Sequence, residues 1–209
     1  MSPRAASSIA ASSFARVKPP LILASASPRR LALLDQIGIT PARVAPADID
    51  ESVRAKELPR AHAERIANEK ARAAHARLAT NERAVILAAD TVVACGRRIL
   101  PKAEDDATVT KCLQLLSGRR HTVITAIMVV DADGKLRTRT IETKVAFRRL
   151  DTNEIADYVR LGEGRGKAGG YAIQGKAAVF VRFLSGSYSN VVGLPLTETF
   201  QLLRSCGAV

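Results

Sequence analysis

A short apolar run, Leu21-Ile22-Leu23-Ala24, passes through Ser25-Ala26-Ser27-Pro28-Arg29-Arg30 straight into a helical pattern. In that pattern Leu31, Leu33, Leu34 and Ile37 are apolar and Gly38 is the stop. A strand feeding a helix through so tight a turn commits this part of the chain to an α/β arrangement. Ser27 suits the N-cap and Pro28 the first helical position. The two arginines suit their place less well, because the first turn carries the positive end of the helix dipole. Nothing in the local sequence compensates. An incoming anion would, since backbone N–H groups, dipole and guanidinium forks would converge on it. A capped helix with two solvated arginines is the plainer alternative.

Further along, strands and helices alternate and then give way to a meander. The pattern predicts a strand over 21–25, a helix over 28–37, a proline-broken loop over 41–60 and an Ala-rich helix over 61–79. The run Val85–Ala89 reads as a central strand ending at Asp90, followed by a turn at Gly96-Arg97 into Arg98-Ile99-Leu100. A helix is expected over 105–117, and strands over 121–130 and 135–148 joined by the hairpin signal Asp133-Gly134. Asp151-x-x-Glu154 forms a capping box opening a helix that runs to Leu161. A Gly-rich loop (162–175), a strand (177–184), a polar loop (185–190) and a closing helix (195–203) complete the chain. The fold class is α/β: a mixed twisted sheet with flanking helices.

The 209 residues suffice for one domain with a substantial core, taken here as 20–209. Residues 1–19 are rich in Ser and Ala, carry Arg4, Arg16 and Lys18 without an acid, and read as a disordered basic extension. The same composition fits an organelle transit peptide, but the Ala/Arg bias runs through the whole chain. No apolar stretch reaches the roughly 20 residues of a membrane span. Three cysteines, odd in number and without a C-x-x-C pair, argue against a disulfide framework or cysteine zinc site and favour the cytoplasm. His62 and His75 lie in the Ala-rich helix and read as surface residues. The net charge of +12 points to anionic partners such as nucleotides. With 4% aromatic residues and no Trp, the chain lacks stacking platforms, so no stable nucleic-acid partner is expected.

Several residues are candidates for chemistry. Asp90 follows an apolar run, where a carboxylate is costly unless paired or metal-bound. It is a candidate for activating water or binding a divalent ion, against the alternative of a turn-capping Asp. Lys70 falls on the apolar helix face marked by Ile66, Ala67, Ala71 and Ala74, and on its own is best read as snorkelling to solvent. Glu51 closes a loop cluster with Asp48 and Asp50, and Lys102 follows Pro101. Gly164–Gly169 matches G-x-G-x-x-G, but it precedes a strand and follows a helix, the wrong order for a dinucleotide site. It remains a basic loop whose backbone can approach a phosphate.

Taken in order, Ser25–Arg30, Ala89-Asp90-Thr91, Ser117-Gly118-Arg119-Arg120-His121, Gly166–Gly175 (GKAGGYAIQG) and Gly186–Pro195 (GSYSNVVGLP) closely resemble the Maf family of nucleoside triphosphate pyrophosphatases. The resemblance runs from about Leu21 to Leu203. It implies a fold like that of the inosine triphosphate pyrophosphatases, with two lobes around a cleft and often a homodimer. It implies hydrolysis of a nucleoside triphosphate to the monophosphate and pyrophosphate with a divalent cation, Mg2+ or Mn2+. Asp90 matches the family's proton acceptor, and Glu51, Lys70 and Lys102 match charged positions lining its cleft; Asp90 and Glu51 are the expected ligands of the metal. Ser25, Ser27, Arg29, Arg30, Lys70, Thr91, Lys102 and Gln174 are the expected substrate-binding residues. Arg29, Thr91 and Gln174 resemble the branch acting on dTTP and UTP. The chain departs from the family at Ala103, Arg165 and Ala126, where Pro, Trp and Gly are common. The family's historical link to septum formation keeps a non-enzymatic alternative open, a basic protein binding nucleic acid or a division partner.

Overall fold

The computed structural model describes residues 18–209; the expectation of a disordered extension falls almost wholly on residues outside this range. The chain begins with β1 (Leu21–Leu23), α1 (Pro28–Gln36), β2 (Arg43–Val44), α2 (Pro59–His75) and β3 (Val85–Cys95). It continues through β4 (Arg98–Leu100), β5 (Lys102–Ala103), α3 (Asp106–Leu116), β6 (Arg120–Val130) and β7 (Leu136–Phe147). It closes with α4 (Thr152–Leu161), β8 (Lys167–Ala168), a 3-10 turn (Lys176–Phe180), β9 (Val181–Ser185), α5 (Tyr188–Val192) and α6 (Leu196–Ser205).

Seven strands form one mixed sheet in the order β2-β1-β3-β6-β7-β9, with β4 paired to β3. β1 runs parallel to β2 and β3, and the remaining neighbours are antiparallel. Because side chains alternate along a strand, β3 divides its residues between two cores. Val85, Leu87, Ala89 and Val93 face a large core with α1, α3, α4 and α6. Ile86, Ala88 and Val92 face a smaller one with α2. The α2 face of this second core is made of Ala63, Ala67, Ala71 and Ala74, all buried. Side chains this small let the helix lie close to the sheet, which brings Lys70 on the same face near β3.

Three expectations need correcting. β3 does not stop at Ala89. It runs on to Cys95, with Asp90 paired opposite Ala126 inside the β3–β6 ladder. The parallel partner β1, in contrast, ends opposite Leu87, so Asp90 lies where β1 has just left the sheet. The segment expected as a strand from Ala177 is a 3-10 turn up to Phe180, with strand only from Val181. Its buried residues, Ala177 and Phe180, are three apart, the spacing of a 3-10 turn rather than a strand. The expected polar loop contains α5, which Ser187 caps by accepting from the Asn190 amide. The capping box of α4 forms as expected, with Gly162 left-handed at its end.

Candidate active site

The turn Ala24–Ser27 leaves the sheet beside Ala88–Thr91 of β3, with the Ala24 amide still bonded to the Leu87 carbonyl. A cleft of about 640 Å³ opens there. Every site residue expected from sequence lines it: Ser25, Ser27, Arg29, Arg30, Glu51, Lys70, Asp90, Thr91, Lys102 and Gln174. Asp90 and Thr91 are consecutive and so point to opposite faces of the sheet, one toward α2 and the other toward α1.

On the α2 side, Lys70 does not snorkel. It is 8% exposed, and its Nζ lies 2.9 Å from Asp90 Oδ1 and 2.9 Å from Glu51 Oε1. The cost of burying Asp90 is thus offset by a buried ammonium, which also brings Glu51 in from its loop. On the α1 side, Arg30 is 7% exposed and donates to the Gly193 carbonyl (2.8 Å), Ser25 Oγ (2.9 Å) and Thr91 Oγ1 (3.2 Å). The apparent lack of local compensation for this arginine is therefore resolved by long-range acceptors. Burial lowers its pKa, while the Asp90 carboxylate opposes that effect. Thr91 Oγ1 also meets Thr125 Oγ1 across the ladder at 2.9 Å. Ser27 occupies the N-cap position of α1 but makes no side-chain cap bond; its amide donates instead to Ser25 Oγ at 3.2 Å.

Arg29 stands differently. It donates at 3.4 Å to the Val192 carbonyl, and burial lowers its pKa. Lys102 is brought over the same cleft because β5 pairs with β8, which carries Lys167. Lys167 donates to the Arg165 carbonyl at 3.0 Å. Its pKa is lowered by burial and then by the nearby charges of Arg29 and Lys102. Among the described residues, neither Arg29 nor Lys167 meets a carboxylate within ion-pair distance. Arg29 and Lys167, with Lys102 beside them paired to Glu104 at 3.5 Å, face the cleft and form a receptor for a polyanion.

Lys167 and His62 also line the cleft and were not among the sequence candidates. Lys167 lay in the basic glycine loop, but only the β5–β8 pairing places it. Within that loop Gly169 is left-handed (φ +68°), and a Cβ there would meet Val93 Cγ1 at 2.8 Å, so the backbone needs glycine to pass. His62, expected on the surface, is buried (6% exposed) and bonded through Nδ1 to Glu57 at 2.9 Å. The G-x-G-x-x-G match, Gly164–Gly169, follows α4 and contains β8, and it opens no helix.

The family model described as Maf-like protein matches residues 20–206. The dTTP/UTP pyrophosphatase of Rhodospirillum rubrum is 58% identical over 188 residues, covering 90% of this chain and 88% of that protein. The dTTP/UTP pyrophosphatase of Caulobacter vibrioides is 57% identical over 189 residues, covering 90% and 96%. Among solved structures, a HAM1 protein from Coxiella burnetii aligns with a TM-score of 0.48 and 15% identity, over 90% of this chain and 99% of that one.

Proposed function

Since the chain belongs to the Maf-like family, we propose that it hydrolyses a nucleoside triphosphate to the monophosphate and pyrophosphate, with dTTP and UTP preferred, as the names of its relatives indicate for them. The observation that carries this reading is one cleft with two halves: a carboxylate–ammonium centre, and beside it Arg29, Lys102 and Lys167 facing one another. The first half suits the activation of water, the second a triphosphate.

A divalent cation belongs to this reading, and the residues present fit one. Asp90 and Glu51 each spend one oxygen, Oδ1 and Oε1, on the Lys70 ammonium at 2.9 Å, which leaves Asp90 Oδ2 and Glu51 Oε2 as the oxygens a cation beside that ammonium would take. Among the described residues no group of three or more His, Cys, Asp or Glu converges to hold a metal. Two carboxylates completed by substrate phosphates are the usual setting for Mg2+, which keeps much of its water shell. Asp90 and Glu51 would hold it, and when bound it supplies positive charge to the phosphate oxygens.

In the reaction a water oxygen bonds to the α-phosphorus while the bond from that phosphorus to the bridging oxygen of the β-phosphate breaks. Pyrophosphate carries away the electron pair. Asp90 accepts the water's proton and Lys70 holds Asp90 in place. Arg29, Lys102 and Lys167 stabilise the charge growing on the phosphates. Arg30, held by Ser25, Thr91 and the Gly193 carbonyl, fixes the turn whose Ser25 and Ser27 approach the phosphates. Gln174, exposed at the cleft rim, presents an amide to the donor–acceptor edge of uracil or thymine. We take residues 20–209 as one catalytic domain, acting as a homodimer in the cytoplasm. Asp90→Asn tests the assignment: turnover should fall by about 10²–10⁴-fold with folding and nucleotide binding retained. Near-normal turnover would refute it.

A further inference from the structure

Glu51 is the least anchored member of the centre. Its side chain is 54% exposed and it belongs to an extended segment without regular structure. The segment that follows is not loose. The Glu57 carboxylate, only 9% exposed, accepts from Arg65 Nε (2.6 Å) and Nη2 (2.9 Å), from the Arg54 amide (3.0 Å) and from His62 Nδ1 (2.9 Å). Arg65 Nη2 also donates to the Ser52 carbonyl at 2.8 Å, directly after Glu51. Between them Lys56 is left-handed (φ 61°), a conformation that favours glycine and persists where surroundings impose it. The Arg65 bonds hold the Glu57 carboxyl well below the usual carboxylate range, so the pair stays ionised.

Arg65 lies on α2 five residues before Lys70, on the same rigid element. The loop that carries Glu51 is therefore clamped to the helix that carries its partner. We propose that Arg65 and Glu57 are positioning residues that hold Glu51 against Lys70 and Asp90, acting on the reaction through Glu51 without touching substrate. His62, buried and lining the cleft, adds its own bond to the same Glu57 carboxylate. The inference rests on the reading of Glu51 as a carboxylate of the reacting centre.

The test is a double-mutant cycle read in two ways. With dTTP and Mg2+, Arg65→Gln should lower kcat about ten-fold while KM moves less than about three-fold, as a small displacement of a reacting group does. On a Glu51→Gln background the same substitution should change kcat less than about two-fold, the mark of coupled residues. Arg65→Lys, which keeps the charge and a donor, should recover part of the loss. Independently of turnover, hydrogen exchange of amides 52–58 should accelerate about ten-fold or more in Arg65→Gln and Glu57→Gln, with β3 and β6 unchanged. In Glu51→Gln those amides should keep their wild-type rates. Equal losses in both backgrounds, or unchanged exchange over 52–58, would overturn the clamp. If Glu51→Gln alone leaves turnover intact, the reading of Glu51 fails instead, and exchange alone decides whether the clamp exists.

Discussion

Replacing Lys70 by Met strips the ammonium from between two carboxylates while keeping a long, helix-compatible side chain. In the native protein Lys70 and Asp90 side chains are 10% and 11% exposed, and Glu51 is 54% exposed. Removing one partner of a fully buried pair costs about 3–5 kcal/mol, because the remaining charge is left in a poorly solvated place. Glu51 can turn toward water, so Asp90 bears most of this, and a loss of about 3 kcal/mol is expected. For a chain of this size that is a fall of roughly 6–12 °C in Tm. Adding Asp90→Asn removes the stranded charge, so the double variant should regain most of the lost stability while staying inactive. Differential scanning calorimetry on wild type, both single variants and the double variant measures all four corners. A Lys70→Met protein melting within about 2 °C of wild type, or a double variant no more stable than Lys70→Met, would refute the buried-pair account.

Two further outcomes follow from other parts of the molecule. Gln174→Ala should narrow the preference for dTTP over dCTP by about five- to ten-fold in kcat/KM, roughly the worth of one net hydrogen bond; an unchanged ratio would show that Gln174 does not read the base. Burial lowers the His121 pKa from 6.5 to about 4, so the folded protein keeps this ring neutral while the unfolded chain protonates below 6.5. Stability should therefore decline as pH falls from 6.5 to 4, and His121→Phe should flatten that slope in urea melts taken across this window.

How much of this was legible beforehand depended on the range over which each signal acts. The strand–turn–helix at Leu21–Gln36 and the capping box at Asp151 are local, and both stand in the structure. Asp90 was singled out by its apolar neighbours, but its partner was not, since Lys70 reaches it from a helix 20 residues away through a stripe of alanines. Taken alone, Lys70 on that face was better read as snorkelling. Arg30 looked uncompensated because one of its acceptors, the Gly193 carbonyl, lies 163 residues on. Lys102 and Lys167 meet through two-residue strands too short to carry any periodicity. The burial of His62 depends on the Glu57–Arg65 pair, which apolar patterning does not record. The order of motifs along the chain brought Lys102 and Gln174 forward as site residues through family resemblance, where composition and spacing had not.

Turnover of dTTP by the wild-type protein with Mg2+ in water enriched in oxygen-18, followed by phosphorus NMR, tests the central claim most directly. Attack at the α-phosphorus predicts dTMP and pyrophosphate in equal amounts, with the label in the dTMP phosphate. Release of orthophosphate with dTDP, or label in the pyrophosphate, would contradict it.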